Sequence, residues 1–162
     1  MFVFFALGFI KSTVNYGHEI VVNKSVAEAW KIQQDETKFD QWLKGFKSIE
    51  HLSGEKGAVA STYKITVNPG DGQPDFIMTE TVKSIKENDH ITLNMDSEMM
   101  VFEQKTSFED LGGETKIRTE STVKGKGIMM RSMFALMDLL GNSFKKQEVE
   151  NIENLKKLID SM

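Results

Sequence analysis

The sequence predicts an α+β domain: a curved seven-stranded antiparallel sheet, two short helices after strand 1 and a long C-terminal helix. Three observations carry this. Polar turn signals recur between segments rich in β-branched and aromatic residues, which is the rhythm of an antiparallel meander. A capping box opens a short apolar-periodic stretch just after the first strand. From about Ile128 to Ile159 there is no proline, and Gly141 is the only glycine, so one long helix is expected there.

The turn signals are Gly54-Glu-Lys-Gly57, Asn68-Pro-Gly-Asp-Gly-Gln-Pro74, Glu87-Asn-Asp89, Asp96-Ser-Glu98 and Asp110-Leu-Gly-Gly-Glu114. They place strands at roughly 16–23, 46–53, 58–68, 75–86, 90–96, 99–109 and 114–124. Within these segments residues alternate. Tyr63, Ile65 and Val67 oppose Thr62, Lys64 and Thr66, and Ile91, Leu93 and Met95 oppose Thr92 and Asn94. Ile117, Thr119, Ser121 and Val123 oppose Arg118, Glu120, Thr122 and Lys124. Such alternation means that one sheet face is covered and the other is wet.

Ser25-Val-Ala-Glu28 caps the first helix, which carries Val26, Ala29, Trp30 and Ile32. A second helix follows Asp35, with Phe39, Trp42 and Leu43 at helical spacing. Both are too short to be stable alone and must pack on the sheet. Trp30 and Trp42 read as core wedges, with the pocket mouth a further position for Trp42. The second half of the C-terminal helix is amphipathic. Phe144, Ile152, Leu155 and Ile159 mark one side, and Lys145, Lys146, Glu150, Glu153, Lys156 and Lys157 the other. Its first half, GIMMRSMFALMDLLG from Gly127, is apolar nearly all round. It must be buried on more than one side or contact something outside the chain. Its length, with Arg131 and Asp138 inside it, is wrong for a membrane span.

The chain's 162 residues suit a single domain with a sizeable core. With 40% hydrophobic and 27% charged residues, the composition is globular rather than disordered. A net charge of −4, with the basic residues dispersed, argues against a nucleic-acid partner. The absence of cysteine removes disulfides, thiolate zinc sites and cysteine nucleophiles, and leaves the compartment open. Residues 1–15 form an apolar N-terminal segment, and residues 16–162 form the domain. The opening MFVFFALGFI has two readings: a buried strand or ordered apolar tail, or the trailing half of a membrane anchor. As helix, ten residues reach only about 15 Å, half a bilayer core. The expected location is cytoplasmic, or at a membrane if that segment belongs to an anchor.

His18, His51 and His90 lie on separate segments without metal-ligand spacing, and no G-x-S-x-G elbow, phosphate loop or H-E-x-x-H motif occurs. No metal and no cofactor is expected. Met130, Met133 and Met137 share a helix face. Thioethers bind Cu(I), but companions are lacking. Gap-filling core or an adaptable pocket wall is the better reading. By parity the covered face presents Tyr63, Ile65, Phe76, Met78, Met95, Phe102, Gln104, Thr119 and Ser121. With Met130, Met133, Phe134 and Met137 these are the candidate ligand-binding residues. Glu80 shares the parity of Phe76 and Met78. Facing inward it would be a carboxylate among apolar side chains, with a pKa tending upward, and so a candidate general acid/base. A β-bulge turning it outward, or a basic partner on a neighbouring strand, would remove that role.

The run Ile20-Val-Val-Asn-Lys-Ser-Val-Ala-Glu-Ala-Trp30, followed by Asp35, Phe39 and Trp42, resembles the helix-grip superfamily. That group holds START-type lipid carriers, birch-pollen-allergen-like proteins and polyketide cyclase/dehydrase-like proteins. Gly54-Glu-Lys-Gly57 with Val59-Ala60-Ser61 resembles its glycine-bracketed hairpin. Proline often stands in that family where this chain has Ser25, and glycine where it has Ala60. The resemblance covers about residues 16 to 160. It implies a cavity for a lipid-like or polycyclic molecule between the sheet and the C-terminal helix, and carries over no catalytic residue. The expected function is hydrophobic ligand binding or transport. A cyclase/dehydratase-type enzyme and a ligand-free interaction domain, as a homodimer or tethered to a membrane by the N-terminus, are the alternatives.

Overall fold

A computed structural model describes residues 6, 8–70, 72–141 and 143–162. Its seven strands are β1 (Val14–Val22), β2 (Phe46–Ser53), β3 (Thr62–Val67), β4 (Phe76–Lys86), β5 (His90–Asp96), β6 (Met100–Asp110) and β7 (Thr115–Gly125). They form one antiparallel sheet in the order β1-β7-β6-β5-β4-β3-β2. β1 and β2 are the two edges. The chain crosses between them through α1 (Val26–Gln33), a 3-10 turn (Glu36–Lys38) and α2 (Phe39–Trp42). After β7 come α3 (Gly127–Leu140) and α4 (Ser143–Ser161).

Alternation works as the pattern requires. On β7, Thr115, Ile117, Thr119, Ser121 and Val123 are buried, while Arg118, Glu120 and Lys124 face water. The capping box forms: the Glu28 amide donates to Ser25 Oγ at 3.4 Å and the Ser25 amide to Glu28 Oε2 at 3.3 Å. Trp30 meets Phe108 edge-on at 5.2 Å and so wedges α1 against the sheet. Ile152, Leu155 and Ile159 of α4 complete this core with Ile20, Val22, Ile91 and Ile117.

Two expectations change. The C-terminal helix is not continuous from Ile128. α3 ends at Leu140, where Gly141 adopts φ 154° and its amide donates to the Met137 carbonyl. Glycine takes that conformation without a Cβ penalty. The long helix that covers the sheet is therefore α4, of 19 residues. α3 instead packs through Phe134 on Val14 and Val123, with Met130 and Met137 beside Met100 and Phe102. Its other side stays open: Met129, Leu139 and Leu140 are exposed.

The strand expected from 58 begins at Thr62. Residues 58–61 turn instead, with the Ser61 amide donating to Ala58 O at 3.1 Å. Ala60 sits at φ 68°. It is held there because its amide donates to Val82 O at 2.9 Å while Val82 donates to Ser61 O at 3.1 Å.

Expectations for residues 1–10 fall partly outside the described residues. Residues 8–10 are helical, and Lys11 pairs with Asp138 of α3. Gly8 lies so close to α3 that a Cβ there would come within 2.5 Å of Ser132 Oγ. No described helix is long and apolar enough to cross a membrane.

Ala60 yields a stability prediction. A left-handed non-glycine residue costs about 1–2 kcal/mol, partly offset by the extra unfolded-state entropy of glycine. Ala60→Gly should stabilise the fold by about 0.5–1 kcal/mol, read as a higher urea midpoint at unchanged slope.

Candidate functional site

The inward face and α4 do not meet everywhere. One apolar cluster joins α4 to β1 and β7, a second joins α3 to Val14 and Val123, and a third holds Tyr63, Ile65 and Val82 on β3 and β4. Between them lies a cavity of about 540 Å³, walled by β3–β7 on one side and by Phe144, Glu148 and Ile152 of α4 on the other. Phe39, Trp42, Leu43 and Phe46 close one end, and Tyr16 of β1 reaches in from another.

Strand parity sets the wall. Cross-strand pairing aligns Tyr63, Glu80, Met95, Phe102 and Val123 in one row across five strands. A bulge does interrupt β4, but it falls between Val82 and Ser84, beyond Glu80. Glu80 therefore keeps the inward parity of Phe76 and Met78. Of the residues singled out from sequence, Ile65, Phe76, Met78, Glu80, Met95, Phe102 and Gln104 are brought together around the cavity.

The others lie off it, each for a definite reason. Tyr63 is buried beneath the wall, its hydroxyl accepting from the Gly57 amide at 2.7 Å and its ring 5.2 Å from His51. Thr119 and Ser121 face inward but are roofed by Glu148. Met130, Phe134 and Met137 pack at the α3 end, and Met133 is exposed. The break at Gly141 turns α3 away from the cavity. The soft lining comes from strand methionines instead: Met78, Met95 and Met100.

Sequence reasoning passed over Glu148. It is buried, accepting from Thr119 Oγ1, from Ser121 Oγ at 2.5 Å and from Gln104 Nε2 at 3.2 Å. Three donors offset much of the cost of burying its charge. The signal was present: residues 144, 148, 152, 155 and 159 form one helical stripe, and Glu148 is its one polar member. The paired hydroxyls at inward positions of β7 are its counterpart.

Glu80 is the opposite case. It is half-buried against the cavity, and among the described residues no side chain or amide donates to it. Burial, and secondarily the negative charge of Glu36, push its carboxyl up to about 7. Burial and then the Glu148 charge push the Tyr16 phenol well above its usual range, so it stays a neutral hydroxyl. Trp42 also belongs to the wall, and its indole N–H is buried without an acceptor among the described residues. At the mouth, Lys44 pairs with Glu150 at 2.9 Å and Lys146 is exposed. Among the described residues no three acidic or histidine side chains are grouped to hold a metal. A second hollow, wide open, is lined mostly by polar side chains, among them Asn15, Glu103, Lys105, Glu120 and Thr122.

Chemically, the cavity offers an apolar body with a few polar groups, the usual make-up of a small-molecule site. Glu80 can hold or release a proton near neutral pH. Gln104 and Tyr16 offer neutral hydrogen-bonding groups.

Solved structures share this architecture. The crystal structure of Ara h 8.0201 superposes with a TM-score of 0.71 at 18% identity, covering 93% of this chain and 99% of that one. A START superfamily protein from Mycobacterium smegmatis gives 0.65 at 21% identity, covering 91% and 94%. The Zhui aromatase/cyclase from a Streptomyces strain gives 0.68 at 8% identity, again covering 91% and 94%. The chain has the helix-grip fold. At these identities the likeness speaks for architecture alone. No protein-family model matches the chain, and no curated protein matches it in sequence.

The Glu80 environment fixes the sign of a pH effect. Its carboxyl titrates near 4.5 in the unfolded chain and near 7 when folded. The folded state therefore pays no penalty below pH 4.5, and the penalty grows as pH rises to 7. Glu80→Gln should stabilise the protein at pH 8 on the order of 2–3 kcal/mol and leave stability at pH 4 nearly unchanged. Denaturant titrations at both pH values check this; parallel curves for the two proteins would contradict it.

Proposed function

We propose that the protein binds a hydrophobic small molecule, lipid-like or polycyclic, between the sheet and α4, as a carrier or sensor. The observation that carries this reading is the 540 Å³ cavity, walled mainly by aromatic, methionine and branched aliphatic side chains with a few polar groups among them. Its size falls within the range of drug-sized ligand sites. Its three methionines give a wall that can adjust to ligand shape. The helix-grip neighbours support the reading, since they include a protein named for the START superfamily.

One observation favours a second reading, an enzyme of the cyclase/dehydratase type. Glu80 faces the cavity with a carboxyl near 7, where a general acid or base is most effective. An aromatase/cyclase is among the structural neighbours. The two readings differ in turnover: a carrier returns its ligand unchanged, and an enzyme does not.

Native mass spectrometry of the purified protein, followed by solvent extraction, identifies any co-purified molecule and whether it is altered. Filling the cavity is the matching mutational test. Met78→Trp should weaken binding of an apolar fluorescent probe by about tenfold or more while the circular dichroism spectrum is retained. Unchanged probe affinity in that variant would place binding elsewhere.

A further inference from the structure

We infer that the ligand is an amphipathic amine, its apolar body in the cavity and its ammonium group against Glu80. This rests on the cavity being a ligand site, and it names the chemistry of what enters.

Glu80 stands in the wall between Met78 on its own strand and Met95 across the pair, with Tyr63 on the other side. No described residue donates to it, and the charge that acts on it is another carboxylate, Glu36, whose own partner is Lys56 at 3.0 Å. A carboxylate in such surroundings lacks a counter-charge, and a bound cation would supply one.

The remaining charged groups of the wall do not fill that role. Glu148 is engaged by Thr119, Ser121 and Gln104. Lys44 is matched to Glu150 at the mouth, and Lys146 is exposed there. Of the charged side chains lining the cavity, Glu80 and Glu148 are the ones withdrawn from solvent, while Lys44, Lys146 and Glu150 are exposed. An anionic lipid would have to place its head group against like charge. A neutral one would leave Glu80 unpaired. An ammonium satisfies it and also gains from the negative faces of aromatic rings, which Tyr16, Phe39, Trp42, Phe76 and Phe102 bring to the same cavity.

Proton linkage adds a second signature. Alkylammonium groups stay charged throughout the neutral range. Glu80, with a carboxyl near 7, is mostly protonated at pH 6 and mostly ionised at pH 8. The other titratable groups near Glu80 or lining the cavity, among the described residues, are Tyr63 opposite it, Glu36 with its partner Lys56, and Tyr16, Glu148, Lys44, Lys146 and Glu150. Amine affinity should therefore rise about tenfold from pH 6 to pH 8.

The test uses the full chain and three probes of one length: decylamine, 1-decanol and decanoate, titrated calorimetrically at pH 8. Decylamine should bind about tenfold or more tighter than decanol, and decanoate weakest. Glu80→Gln should bring decylamine down to the level of decanol while decanol affinity holds, which shows that the cavity is intact. Glu114→Gln, at an exposed turn position, controls for net charge and should change nothing. Decanol or decanoate matching decylamine would overturn the inference and leave the cavity reading standing. So would an equal loss in the Glu114 variant, or no loss in the Glu80 variant. If none of the three probes binds, both the inference and the cavity reading fall.

Discussion

A straight helix cannot follow a curved sheet along its whole width, and the rest of this structure follows from where the two touch. α4 is anchored over β1. The Asn23 amide donates to Asp160 at 2.8 Å, His18 meets Glu153 at 2.7 Å, and Lys156 donates to the Val21 carbonyl. Beneath these polar ties, Leu155 and Ile159 are completely buried. Burial of two such side chains contributes about 3–6 kcal/mol, enough to fix the helix on that side. Register shifts in β2 and β4 mark where the far strands depart from regular pairing. The helix and these far strands diverge, and the cavity is the wedge between them.

Two glutamates show how that geometry sorts one residue type into two states. Glu148 sits where helix and sheet are in contact, so inward hydroxyls of β7 reach it and the charge is held. Glu80 sits two strands from Gln104, about 10 Å across the sheet, where helix and sheet have separated. Among the described residues, no side chain of α4 donates to it. The same carboxyl is therefore structural in one place and unsatisfied in the other.

The fold was legible because alternation and turns are local signals. Each expected strand lies within about four residues of the observed one, including the inward parity of Glu80, which follows by counting from Phe76. What could not be read depended on rotation and breaks. Met130 and Met137 pack inward while Met133 is exposed, and the direction of their helix depends on a Gly141 conformation that a helical pattern does not reveal. Ala60 looked like an ordinary strand entry, and only tertiary pairing with Val82 shows that it is forced into a left-handed turn. Glu148 was concealed by charge type: a glutamate on an amphipathic helix reads as a solvent residue unless its place in the stripe is counted.

Glu80 bears on both functional readings. At that position an apolar side chain would pack against Ile65, Met78 and Met95 without a desolvation cost. The acid instead leaves the folded state less stable as pH rises from about 4.5 towards 7. A fold can carry such a group when overall stability is sufficient, and the group then does one of two things. It waits for a counter-charge, in which case ligand binding and folding stability share the same missing interaction. Or it trades a proton with a substrate, in which case the raised pKa is itself the useful property. The first requires a cation in the bound molecule and the second does not. The chemical nature of the ligand therefore separates a carrier built on charge pairing from a cyclase-type site built on proton transfer.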